Sequence, residues 1–116
     1  NPQHWYNNPI GKTGFELAFI LNSRDNQLRA ELIIRDNAEA YRQLIDQSQQ
    51  IESEFDRELT WHEPEETRAG KERSRIVVTK SADVTDQDQW DEYLDWMIEH
   101  GEQFHDVFYD RIQRLS

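Results

Sequence analysis

Gly11-Lys12-Thr13 ends like a phosphate-binding loop, which cradles phosphate oxygens on backbone N–H groups at the start of a helix. The earlier glycine such a loop needs would fall at Tyr6, and the segment leads into residues of strand type, so a turn is the better account. Four histidines invite a zinc reading. His100 and His105 are five residues apart, about 140° around a helix, where a chelating pair is spaced i, i+4. His62 and Glu63 would alternate across a strand and point to opposite faces, and His4 stands near the start. Glu65-Glu66 and Asp86-Asp88 resemble paired catalytic carboxylates, but loop solvation and the preference for acid at a helix N-terminus explain them. We therefore expect no catalytic residues, no metal site and no cofactor.

Two sets of residues point instead to binding. Arg68, Lys71, Arg73 and Arg75 form the one basic cluster of an acidic chain and could touch nucleic-acid phosphates or an acidic protein face. Glu63, Glu65, Glu66 and Glu72 flank the cluster and can pair with it locally; Arg75, on a strand, is the best individual candidate. The second set is Trp96, His100 and Val107, a shoulder beside the apolar stripe of the last helix, continued by Tyr109 and Ile112. A tryptophan there needs a cover: the first helix, a second copy, or a neighbouring domain.

Positioning these residues requires the following elements. Phe15, Leu17, Phe19 and Leu21 recur every second residue, as do Leu28, Ala30, Leu32 and Ile34 beyond the turn-rich Asn22 to Asn26, so a hairpin with one wet face is expected. His4-Trp5-Tyr6 adds a short edge strand. Asp36 and Glu39 open a helix over about 37–56. Leu59 and Trp61, then Ile76 and Val78, read as two strands joined by a charged loop from Pro64 to Glu72. Thr85 and Asp88 open one long helix whose stripe is Trp90, Tyr93, Leu94, Met97, Gly101, Phe104, Phe108, Ile112 and Leu115. About 29 residues long, it should overhang the sheet. The order (β)ββαββα predicts an α+β two-layer sandwich, an antiparallel sheet of four to five strands with two helices on one face.

The chain has 116 residues, a formal net charge of −11 and no cysteine. That length suits one domain, 1–116, and four Trp, four Tyr and five Phe are enough for a real core. Without cysteine there is no disulfide framework, and a cytoplasmic location is expected. No apolar run is long enough to span a membrane. Ten Arg and three Lys stand against eleven Asp and thirteen Glu, so nucleic acid is repelled over most of the surface. So acidic and lysine-poor a surface also suits a halophilic source.

The run from His4-Trp5-Tyr6 through Pro9-Ile10-Gly11, Glu31-Leu32, Ile51-Glu52, Leu59-Thr60-Trp61, Ser74-Arg75-Ile76, and Trp90, Trp96, Phe104 and Val107-Phe108 resembles the domain of unknown function 4268 family (DUF4268). The resemblance implies a prokaryotic accessory module, C-terminal to a restriction-endonuclease-like domain in a longer protein; the absence of Met at position 1 fits such a piece. The module is not itself that nuclease, because Val78 stands where an acidic-x-Lys triplet ending at Lys80 would need its metal-holding carboxylate. The expected function is docking, onto its own N-terminal domain, a protein partner or a second copy. The alternative is a nucleic-acid-binding accessory to a defence nuclease, using segment 68–75.

Overall fold

Period-two apolar residues build an antiparallel sheet, and helical repeats cover one of its faces. The computed structural model describes residues 3–10, 12–22, 24–55, 57–68, 70–83 and 85–115, with residues 3–9 as backbone. Its strands are β1 (Gln3–Pro9), β2 (Phe15–Asn22), β3 (Gln27–Arg35), β4 (Thr60–Glu66) and β5 (Glu72–Ser81), hydrogen-bonded in the order β1-β2-β3-β5-β4. The helices are α1 (Ala38–Ile45), α2 (Ser48–Phe55) and, after a 3-10 turn at Gln87–Gln89, α3 (Trp90–Gln113). A thickness of 21 Å is that of one sheet and one helix layer, each about 10 Å deep. The fold is the expected α+β sandwich.

Register places Trp61, Ile76, Leu32 and Leu17 in one row across the sheet, and Val78, Ala30 and Phe19 in the next. These rows face the helices and join Leu44, Ile51, Phe55, Phe104, Phe108 and Ile112 in the main core. Aromatic rings close the seam between α2 and α3: Phe55 meets Phe104 edge-on at 5.0 Å and Phe108 at 5.8 Å.

Several elements differ from expectation, each for a local reason. The helix expected over 37–56 is two helices. Gln47 N–H donates to Leu44 O, one residue short of the α pattern, while the Gln47 side chain serves as acceptor for Arg111 Nε at 3.2 Å. The cap of α1 is Asn37, whose side chain accepts from Ala40 N–H; Asp36, at φ 51°, instead accepts from Glu72 N–H through its carboxylate. The loop expected from Pro64 to Glu72 is largely hairpin. β4 runs through Pro64 to Glu66 with a register shift between His62 and Glu65, leaving a turn closed by Gly70 at φ 74°. A proline and a bulge in an edge strand discourage further pairing there.

The long helix shows the largest difference. It has 24 residues, about 36 Å, and does not overhang: Phe108 and Ile112 are fully buried, and Leu115 O accepts from Lys12 Nζ at 3.1 Å. Its buried face is Tyr93, His100, Phe104, Val107, Phe108 and Ile112, whereas Trp90 and Leu94, expected in the stripe, are exposed. Residues 93–98 are apolar on several sides, so periodicity could not choose between faces. The choice is made at Gly101, where an added Cβ would lie 2.7 Å from Phe19 Cζ. Absence of a side chain lets α3 settle onto β2. Gly101→Val should therefore lower unfolding free energy by about 2 kcal/mol in urea denaturation, with part recovered in a Gly101→Val/Phe19→Leu double variant.

Candidate functional site

Two surfaces carry unusual chemistry, and α3 forms the first. Among the described residues, the exposed large hydrophobics are Trp90 (44%), Leu94 (52%), Ile98 (61%) and Tyr109 (39%), all on this helix. At about 100° per residue they fall within one sector roughly 100° wide, part of which turns into the core toward the C-terminus at Phe108 and Ile112. Tyr109 stacks on His105 at 4.9 Å, extending the strip. Its orientation follows from ties on another side of the helix. Tyr93 Oη accepts from Asp83 N–H at 3.1 Å, and Arg111 grips Glu54 through its two terminal guanidinium nitrogens at 2.5 and 3.1 Å. These ties hold α3 at its two ends, so the outer strip cannot roll inward.

Of the residues expected to form an interface, only Tyr109 is exposed. Trp96 is half-buried, packed against the main core and against a smaller cluster of Leu28, Ala82 and Tyr93, and Val107 and Ile112 are core. His100 is buried, stacked on Trp96 at 4.3 Å, with Nδ1 3.0 Å from Trp96 O. A carbonyl can only accept, so Nδ1 carries the proton. The shoulder is thus the seam, and the strip on the other flank takes its place as the exposed surface.

Burial holds His100 below the ordinary histidine range, partly opposed by the bond to Trp96 O; Arg57 and Lys80 push the same way as burial and Glu99 opposes. Burial, then Arg75, likewise depresses His62. A histidine neutral in the fold but free to protonate when unfolded contributes stability above the unfolded value of about 6.5, and loses it as pH falls through that value. The urea midpoint should therefore drop between about pH 7 and pH 5.5. A His100→Leu variant should show a smaller drop.

The second surface is the outer face of the sheet, which is not simply wet. Ala18, Ile20, Ile33 and Val77 on it are buried, and Glu31 is 2% exposed at its centre. Arg75 Nη1 donates to Glu31 Oε2 at 2.9 Å from the diagonal position on β5, and Arg29 lies 3.8 Å from the same oxygen. In register Arg75 stands opposite Ile33, and Glu31 opposite Val77. Arg35 pairs with Glu16 at 2.9 Å. Of the basic cluster, Arg68 and Lys71 are exposed at the β4–β5 turn, while Arg73 and Arg75 lie on this sheet face. Arg75 is committed to Glu31, so the structure divides the cluster.

Gly11 of the phosphate-loop motif lies outside the described residues, as does the His4 side chain. Among the described residues, no three His, Asp or Glu side chains are grouped to hold a metal, and no helix is long and apolar enough to cross a membrane.

A family model described as Domain of unknown function (DUF4268) matches residues 1–112. The chain belongs to the DUF4268 family. No curated protein and no solved structure matches it. The match spans every strand and nearly all of α3, so both surfaces lie within the family's extent. What sequence reasoning missed in this DUF4268 domain is the α3 strip. The available signal was the i, i+4, i+8 spacing of Trp90, Leu94 and Ile98, which alone does not distinguish an inner stripe from an outer one.

Proposed function

We propose that this domain is a non-enzymatic docking module that binds protein, another domain of its own polypeptide or a separate chain, through the outer strip of α3. The observation that carries this reading is the concentration of exposed large apolar side chains on that helix. Scattered surface hydrophobics need no explanation, whereas an aligned set on a rigid helix is what an interface requires. Attachment to a nuclease-like protein, which the family resemblance implies, would give the module its neighbour.

The nucleic-acid alternative draws less support. Arg29, Arg35 and Arg75 on the sheet face already pair with Glu31 or Glu16, so phosphate would have to displace buried or short ion pairs. A photo-crosslinking residue introduced at position 98 of the full-length protein in cells should join to polypeptide, and one at position 68 should not. Nucleic-acid crosslinks from 68 together with none from 98 would overturn the docking reading.

A further inference from the structure

The geometry points to a basic amphipathic helix of a partner protein as the occupant of the α3 strip, lying alongside α3 as the next member of the helix layer. This inference rests on the docking reading above and adds the chemistry of what docks.

Shape supplies the first argument. The layer is unevenly filled: α1 packs over β3, β5 and β4, α3 packs over β2 and β3, and α2 sits beside α3. Because β1 is the strand beyond β2, the flank of α3 on the β1 side has no helix among the described residues. On the α2 side Arg111 holds Glu54 and Gln47, and Phe104 and Phe108 meet Phe55. Leu94 and Ile98 lie about 100° and 140° around the helix from Arg111, on the flank where Gly101 meets Phe19 of β2. The strip therefore borders the place in the layer where a further helix would pack, at the usual 8–10 Å between axes.

Charge supplies the second argument. From Trp90 to Asp110, α3 contains no Lys or Arg. Asp91, Asp95, Glu102 and Asp106 are all exposed and form a rail along the solvent edge of the strip. An apolar strip with a one-signed acidic border complements a helix carrying apolar residues at i, i+3 and i+4 with Lys or Arg beside them. A second copy fits poorly, since pairing two α3 helices would bring rail against rail on molecules of net charge −11. The same rail repels an anionic lipid surface.

The test uses a fluorescent Leu/Lys amphipathic helical peptide of about 20 residues, matched to the length of the strip, and its Leu/Glu counterpart. Anisotropy against the whole domain should show the Lys peptide binding at least about tenfold more tightly, and binding should weaken as salt rises. Leu94→Ser/Ile98→Ser should weaken that binding about tenfold or more, and Asp91→Lys/Asp95→Lys/Glu102→Lys should reverse the preference between peptides. All substituted positions are exposed, and circular dichroism checks that the fold is kept. Equal binding of both peptides, lost in Leu94→Ser/Ile98→Ser, would overturn the basic partner while leaving the docking reading in place. The basic partner is equally overturned by Lys-peptide binding indifferent to Leu94→Ser/Ile98→Ser, by no binding of the Lys peptide, or by a dimer that those substitutions disperse. The crosslink from position 98 then decides the docking reading separately.

Discussion

Glu31→Ala should lower the unfolding free energy by about 3 kcal/mol, more than the loss of any exposed ion pair in this protein. The carboxylate is 2% exposed and takes Arg75 at 2.9 Å and Arg29 at 3.8 Å. Removing it leaves two guanidinium groups facing each other over Ile33 and Val77, and Arg29 Nε is already buried without a hydrogen-bond partner. The cost falls at the lower end for a broken buried pair because the Arg75 and Arg29 side chains keep 18% and 23% exposure and can turn toward water. Glu31→Gln keeps the acceptor and should cost about half as much. A double-mutant cycle of Glu31→Ala with Arg75→Ala should give a coupling of about 1–2 kcal/mol. An unchanged urea midpoint for Glu31→Ala would show that the outer face is held by its apolar residues alone.

The cluster also shows which parts of the molecule were legible in sequence. The alternation of Leu28, Ala30, Leu32 and Ile34 with Arg29, Glu31 and Arg35 defined β3 and its two faces, because period two permits no other regular structure. It could not show that the polar face would be buried, since that depends on Arg75, 44 positions away, arriving at the diagonal site. The split between α1 and α2 was hidden for a similar reason. No Gly or Pro marks it, and it coincides with the side chain of Gln47 meeting Arg111 on another helix. In α3 the apolar residues were evident but not their allocation to inside and outside. With Tyr93, Leu94, Trp96, Met97 and Ile98 spread over about 200° of the helix, the decision fell to a contact between Gly101 and Phe19 that no local pattern encodes. Basic residues 68–75 were visible as a cluster in one dimension, and the hairpin parted them between turn and sheet face.

Phe104→Ala supplies the sharpest test of how α3 divides its two faces, with an expected loss of about 4 kcal/mol. The ring is fully buried, edge-on to Phe55 at 5.0 Å and stacked near Phe108 at 5.7 Å. Truncation removes its transfer free energy and both aromatic contacts. It also leaves a cavity that cannot readily collapse, because Gly101 has already brought the helix against β2. Leu94→Ala and Ile98→Ala, on the outer strip, remove side chains of comparable apolar character yet should each change stability by no more than about 0.5 kcal/mol. A docking surface is compatible with folding demands only with this asymmetry: the inner seam supplies the rigidity, and the outer strip is left for binding. Chemical denaturation of the three variants measures it directly. Comparable losses for Phe104→Ala and Leu94→Ala would mean that the strip contributes to the isolated fold and would remove the physical basis for reading it as an interface. The expected division, large inside and negligible outside, leaves binding as the function those exposed side chains can serve.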